Sequence, residues 1–166
     1  MIKKTLKELL KEIENKENAC IVVLDELTDV HNVGAIIRTA VATGADAVVV
    51  GKHNQAPIND TVMRTSAYTA DMIPIIEMNI NDSLRILKDN DFWVHGLFMK
   101  GDSSLWNSDL KGKVAIVVGS EGDGIHDLTR KLCDFALAIP MDEKVESLNA
   151  SVSAGIALYE RLRQIS

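Results

Sequence analysis

The sequence predicts one α/β domain built on a parallel sheet with helices over both faces. Three observations carry that expectation. Short apolar runs, among them residues 20–24, 47–50 and 114–118, lack the polar alternation of a half-exposed strand and read as strands buried on both sides. Segments with apolar residues at helical spacing separate them. The connections are short, so strand and helix alternate along the chain. With 166 residues, 46% of them hydrophobic, the chain is long enough to close a single core.

Residues 3–17 are rich in Lys and Glu, with Leu6, Leu9, Leu10 and Ile13 at the spacing of an amphipathic helix. Residues 20–24 form the first strand. A helical pattern over 33–43 ends at Gly44, which suits a C-cap, and 47–50 is a second strand closed by Gly51. Residues 61–69 read as helix, and 73–76 as a strand whose Pro74 belongs at a sheet edge. A helix over 81–88 takes Asn81 or Asp82 as its cap. Strands over 92–97 and 114–118, a short helix over 127–133, a strand over 135–139 and a long helix over 148–163 complete the chain. No repeat or linker divides it. In such sheets ligands sit beyond the carboxyl ends of the strands, where the loops after Leu24, Leu97, Val118 and Ile139 emerge.

Composition narrows the function classes. A net charge of −6 argues against broad, charge-driven nucleic-acid binding, though it leaves room for a local basic patch. Lys52, His53, Arg64, Arg130 and Lys131 are candidates for one, and each also reads as an ordinary surface charge. Cys20 and Cys133 form no C-x-x-C pair and fit buried thiols in a reducing compartment. The histidines at 31, 53, 95 and 126 have no metal-ligand spacing, so no metal is expected. No apolar run reaches the roughly 20 residues of a membrane span. The Lys/Glu-rich start is unlike a signal peptide, and a cytoplasmic protein is expected.

Three motifs stand at strand ends. Gly119-Ser120-Glu121-Gly122-Asp123-Gly124 follows a strand, yet it lacks the G-x-G-x-x-G spacing and the lysine of a phosphate loop. Its carboxylates suit hydroxyls, amines or a cationic ligand; an ordinary turn is the plainer reading. Ser147-Leu148-Asn149 follows Ile139-Pro140-Met141 and opens a helix. Plain capping explains it; so does a rim of polar groups around a flat heterocycle. Asn32 and Arg38 share a helix, and Arg38 reads either as a solvated charge or as a donor to a phosphate or sugar oxygen.

In order, three blocks resemble the SpoU/TrmH-type RNA 2′-O-ribose methyltransferases of the SPOUT superfamily. They are Asp29-Val30-His31-Asn32-Val33-Gly34-Ala35-Ile36-Ile37-Arg38-Thr39-Ala40, then Val118 through Ile125, then Ile139-Pro140-Met141 through Ser153. The likeness runs from about residue 20 to residue 163. It implies a Rossmann-like parallel sheet with a C-terminal deep trefoil knot made by the loops after Leu97, Val118 and Ile139. It also implies S-adenosylmethionine as cofactor, bound by Leu97, Gly119, Glu121, Gly124, Ile139, Met141, Leu148 and Asn149. Arg38, Asn32, Glu121, Ser147 and Asn149 would form the catalytic and substrate side. The implied protein is a homodimer whose Arg38 reaches the partner's cofactor, acting on rRNA or tRNA with a lean towards large-subunit rRNA. Residues 1–18 would be a helical extension and 19–166 the catalytic domain.

The pattern departs from these relatives in places. Val30 stands where many have proline, and Tyr68 puts a ring where many have glycine, as packing or as a stacking surface for a base. Many relatives carry an added RNA-binding domain. A single helix before the catalytic domain implies a minimal enzyme, a fragment, or recognition borrowed from a dimer partner. Two other classes compete: an idle RNA-binding or assembly factor with the same fold, and a flavodoxin-like nucleotide binder. The intact motif residues disfavour the first, and the missing phosphate cradle disfavours the second.

Overall fold

The computed structural model describes residues 1–120 and 122–166. Thr5 starts α1 (Leu6–Ile13) with a reciprocal cap: its hydroxyl accepts from the Glu8 amide, and the Glu8 carboxylate accepts from the Thr5 amide at 2.8 Å. The remaining elements are β1 (Ala19–Asp25), α2 (Val30–Ala42), β2 (Ala47–Val50), α3 (Asp60–Thr65), β3 (Ile75–Glu77), α4 (Ile80–Asp89) and β4 (Trp93–Leu97). They continue as β5 (Ser103–Ser104), β6 (Lys113–Gly119), α5 (Asp127–Leu132), β7 (Phe135–Ala138) and α6 (Ala150–Ile165). Among the described residues these strands form one sheet in the order β3-β2-β1-β6-β4-β7-β5. Every strand pairing in it is parallel.

The pleat sends alternate residues to opposite layers. Val22, Leu24, Val48, Ile116 and Val118 join the core beneath α2 and α6. Ile21, Val23, Val49, Ala115 and Val117 join the one beneath α1 and α4. Leu84 and Leu87 of α4 are fully buried there, and burying each is worth about 2 kcal/mol. The expected sheet with helices on both faces is the observed one. Burial pushes the thiols of Cys20 and Cys133 up to about 12, so both are inert, unpaired side chains. No described helix is long and apolar enough to cross a membrane. Among the described residues, no group of three or more His, Cys, Asp or Glu is placed to hold a metal ion.

Differences from the sequence expectation lie at element ends. Asp29 accepts from the His31 amide at 2.8 Å and starts α2 before residue 33. The helix expected over 61–69 stops at Thr65, because Ala67 and Tyr68 take left-handed φ values of 51° and 64°, which a right-handed helix cannot continue. The Tyr68 ring is 60% exposed, which removes core packing as its role. Asn79, rather than Asn81 or Asp82, caps α4. Residues 98–112 were expected to hold no strand or helix; they contain β5 and a 3-10 turn, Leu105–Asn107, anchored by buried Leu105.

Candidate active site

Three strand ends surround one cleft. The loops following β4, β6 and β7 emerge at the same edge of the parallel sheet and enclose a cavity of about 440 Å³. Leu97, Gly119, Gly124, Ile139, Met141, Ser147 and Leu148, all singled out in the sequence, line it. Val118, Ile125, Ile139 and Leu148 give it an apolar floor, while Ser120, Asp123, Asp127 and Ser153 supply polar groups. An apolar slot with a few polar groups suits a nucleoside-sized ligand.

Close backbone approach shapes the glycine loop. A methyl group on Gly119 would lie 2.3 Å from the Gly124 carbonyl carbon and 2.4 Å from the Ile125 nitrogen. Only a bare Cα lets β6 and the returning loop touch. Gly124, at φ 66°, donates its amide to the Ser120 carbonyl at 2.9 Å, and the Asp123 amide lies 3.3 Å from Ser120 Oγ. Glu121, expected on both the cofactor and the catalytic side, lies outside the described residues.

A histidine clamp closes the base of this loop. Asp25, buried at the end of β1, accepts from the His126 amide at 2.9 Å and contacts its Nδ1 at 3.1 Å. His126 Nε2 stands 3.0 Å from Glu26. The hydrogen bond to Asp25 is the largest cause of a raised His126 pKa; burial opposes it, and the charges of Asp25, Glu26 and Asp123 add to the rise. Its contribution to stability is therefore present below the ordinary histidine value and fades as pH rises through the elevated one. Nothing in the sequence pointed to this clamp, because its partners stand 101 residues apart.

The remaining expected residues divide. Asn32, 6% exposed, lines a second cavity of about 410 Å³ with Glu26, Asp29 and Asn54. Ser120, Gly122, Asp123 and Ala150 line both cavities, so the two share a wall. Asn149 caps α6, its side-chain oxygen accepting from the Ser151 amide at 2.9 Å and the Val152 amide at 3.3 Å. The helix thus opens at Ala150, and capping is a role Asn149 does perform. Arg38 is not brought to the cleft: it is exposed on α2, away from buried Asn32. Six residues at 100° each turn it about 240° around the helix. Phe98, Met99, Lys100 and Arg130 line the cleft without having been assigned to it. For Arg130, expected on an RNA-facing patch, its place four residues after the glycine loop's Ile125-His126 end was the available signal.

Known proteins resemble this chain in sequence and in fold. A 23S rRNA (guanosine-2′-O-)-methyltransferase RlmB of Xylella fastidiosa is 47% identical over 147 residues, covering 88% of this chain and 59% of its own length. The RlmB of Escherichia coli is 38% identical over 155 residues, covering 93% of this chain and 64% of its own. The SpoU methyltransferase AviRb from Streptomyces viridochromogenes, solved with AdoMet, superposes with a TM-score of 0.86 at 27% identity, over 94% of this chain and 64% of that one. The chain thus spans about three-fifths of the length of the first relative. Residues 19–159, all of the sheet and every loop of the cleft, match the SpoU rRNA Methylase family, and the chain belongs to it.

Proposed function

We propose that this protein transfers a methyl group from S-adenosylmethionine to the ribose 2′-hydroxyl of a guanosine in large-subunit rRNA. The observation that carries the reading is the cleft itself, walled by the three strand-end loops in a chain of this family. The names of its relatives supply the guanosine and the 23S RNA. An RNA substrate of that kind implies cytoplasmic residence. The family match starting at residue 19 supports a catalytic domain over 19–166 after a helical extension over 1–18.

The residues present fit the cofactor. A cavity of about 440 Å³ has apolar walls for an adenine, and carboxylates at its rim suit a sulfonium cation. Leu97, Gly119, Gly124, Ile139, Met141 and Leu148 would hold it, with Asn149 and Glu121 completing the set. When bound, S-adenosylmethionine supplies an electrophilic methyl group. The C-terminal knot is part of this proposal. Its support is that β7 inserts between β4 and β5, which are consecutive in sequence. A methyl group on Gly101 would meet the backbone of Leu137 and Ala138 at 2.6 Å, so the intervening loop presses on the returning strand.

The attacking hydroxyl must shed its proton. A guanidinium holds its proton too tightly to serve as a base. Arg38 instead orients the hydroxyl and its neighbouring phosphate, and the phosphate or a water accepts the proton. Asn32 and Ser147 hold the ribose side from the two adjoining cavities. Arg38 stands outside the cleft of its own subunit, which supports action at the cleft of a second subunit in a homodimer. Exposed Val152 and Tyr159, seven residues apart on α6, add an apolar stripe beside α2 on which such a dimer would close.

Isothermal titration with S-adenosylhomocysteine, followed by methyl transfer to a 23S rRNA transcript and mapping of ribose methylation, tests the reading. Tight binding with a methylated guanosine is expected. Binding without transfer to any RNA would favour the idle assembly factor, and absence of binding would sink the proposal.

A further inference from the structure

One cation of the cleft is left without a task by the proposed reaction. Arg130, on α5, lines the cleft, and its guanidinium carbon lies 4.3 Å from the centroid of the Phe98 ring. Phe98 lines the same cleft from the loop after β4. A methyl group on Gly96 would stand 2.6 Å from that ring and 2.8 Å from the Cys133 sulfur, so bare backbone in β4 lets the ring seat there. The ring in turn holds the guanidinium by a cation–π contact, which leaves its N–H edge available for a planar anion.

Asp127 stands three residues before Arg130 on the same helix and also lines the cleft. At that spacing opposite charges are close enough to pair. They do not: among the described residues no carboxylate forms an ion pair with Arg130. A cation and an anion, adjacent but unpaired on one wall, match a ligand that carries both charges on one carbon. An RNA phosphate fits worse, since Asp127 and Asp123 on the same lining would repel it.

We propose that Arg130 binds the α-carboxylate of the cofactor's amino-acid end, while Asp127 accepts from its α-ammonium. This rests on the cofactor reading above and assigns which end of the cleft holds which end of the ligand. The adenosine then lies towards Ile139 and Leu148, away from α5.

Two ligands separate this assignment from the cofactor reading itself. S-adenosylhomocysteine carries the amino-acid end, and 5′-methylthioadenosine lacks it. Arg130→Ala is expected to weaken S-adenosylhomocysteine about tenfold, the size of one partly solvated charge-assisted contact, with 5′-methylthioadenosine unchanged within twofold. Arg130→Lys should recover part of the loss, and Asp127→Asn should weaken the same ligand selectively. Thermal unfolding of each variant reports whether it folds; Arg130→Gln, which keeps a planar donor, replaces Arg130→Ala if that one does not. Unchanged S-adenosylhomocysteine affinity, or an equal loss for both ligands, overturns the assignment. So does a loss confined to RNA affinity, which would give Arg130 to a phosphate. If wild-type protein binds neither ligand, the cofactor reading falls and this assignment falls with it.

Discussion

Replacing Gly119 with alanine tests whether backbone contact at the end of β6 shapes the cleft. The added Cβ would lie 2.3 Å from Gly124 C, 2.4 Å from Ile125 N and 2.6 Å from Gly124 O. Ordinary van der Waals contact begins near 3.4 Å, so the loop must retreat by about 1 Å. All three obstacles are backbone, and no side-chain rotation relieves them. Overpacking of this kind costs about 1–3 kcal/mol. For a domain of this size each kcal/mol lowers the thermal midpoint by roughly 3 °C, giving a fall of about 3–9 °C if the loop stays in place. If the loop instead moves out, the hydrogen bond from the Gly124 amide to the Ser120 carbonyl breaks and the cleft wall shifts. Affinity for S-adenosylhomocysteine then drops by about 5- to 150-fold, the same free energy read through binding. Differential scanning fluorimetry and isothermal titration together capture both outcomes. Gly122→Ala is the control for stability, because a Cβ there meets nothing within 4 Å among the described residues; its midpoint should equal that of wild type. A Gly119→Ala protein with both wild-type midpoint and wild-type affinity would refute the reasoning.

Further outcomes follow from the same geometry. Arg38→Ala should abolish methyl transfer while leaving S-adenosylhomocysteine affinity within about twofold, since Arg38 lines neither cavity; wild-type turnover by this variant would remove Arg38 from the mechanism. Asn149→Ala should lose about 1 kcal/mol of stability through the α6 cap, and Asn149→Asp should keep it, as read by urea unfolding; equal stability of Asn149→Ala and wild type would show that the cap contributes nothing. His95, 2% exposed and stacked on Phe135 at 4.9 Å, has no hydrogen-bond partner for either ring nitrogen among the described residues. Burial lowers its pKa to about 4, against the partial pull of Asp134 and Asp109. The unfolded chain therefore binds this proton first, and stability falls as pH drops from 6.5 towards 4, by up to about 3 kcal/mol. His95→Leu should flatten that slope in urea titrations at pH 7, 5 and 4, and an unchanged slope would clear His95 of the effect.

Much of this protein was legible in residues alone, wherever the signal was local. The runs over 20–24, 47–50 and 114–118 became β1, β2 and β6 because a strand buried on both faces must be apolar at successive positions. The glycine loop and the Ile139 and Leu148 stretches were placed at strand ends by the alternation of elements, and parallel pairing brought those ends to one edge. Tertiary structure decided what depends on distant partners. β7 inserts between β4 and β5, and the stretch after β5 buries Leu105 and Leu110, two leucines with no period to announce them. The His126 clamp needs a carboxylate 101 residues away. Arg38 and Asn32 share a motif yet leave α2 on different faces, a separation that follows from 3.6 residues per turn once the buried face is known. Arg130 entered the cleft for a comparable reason: the Phe98 ring that holds it comes from another strand end, seated on the bare backbone of Gly96. Local sequence thus determined most of the strands and the loops at their ends, while packing of the sheet chose which charges those loops hold against one another.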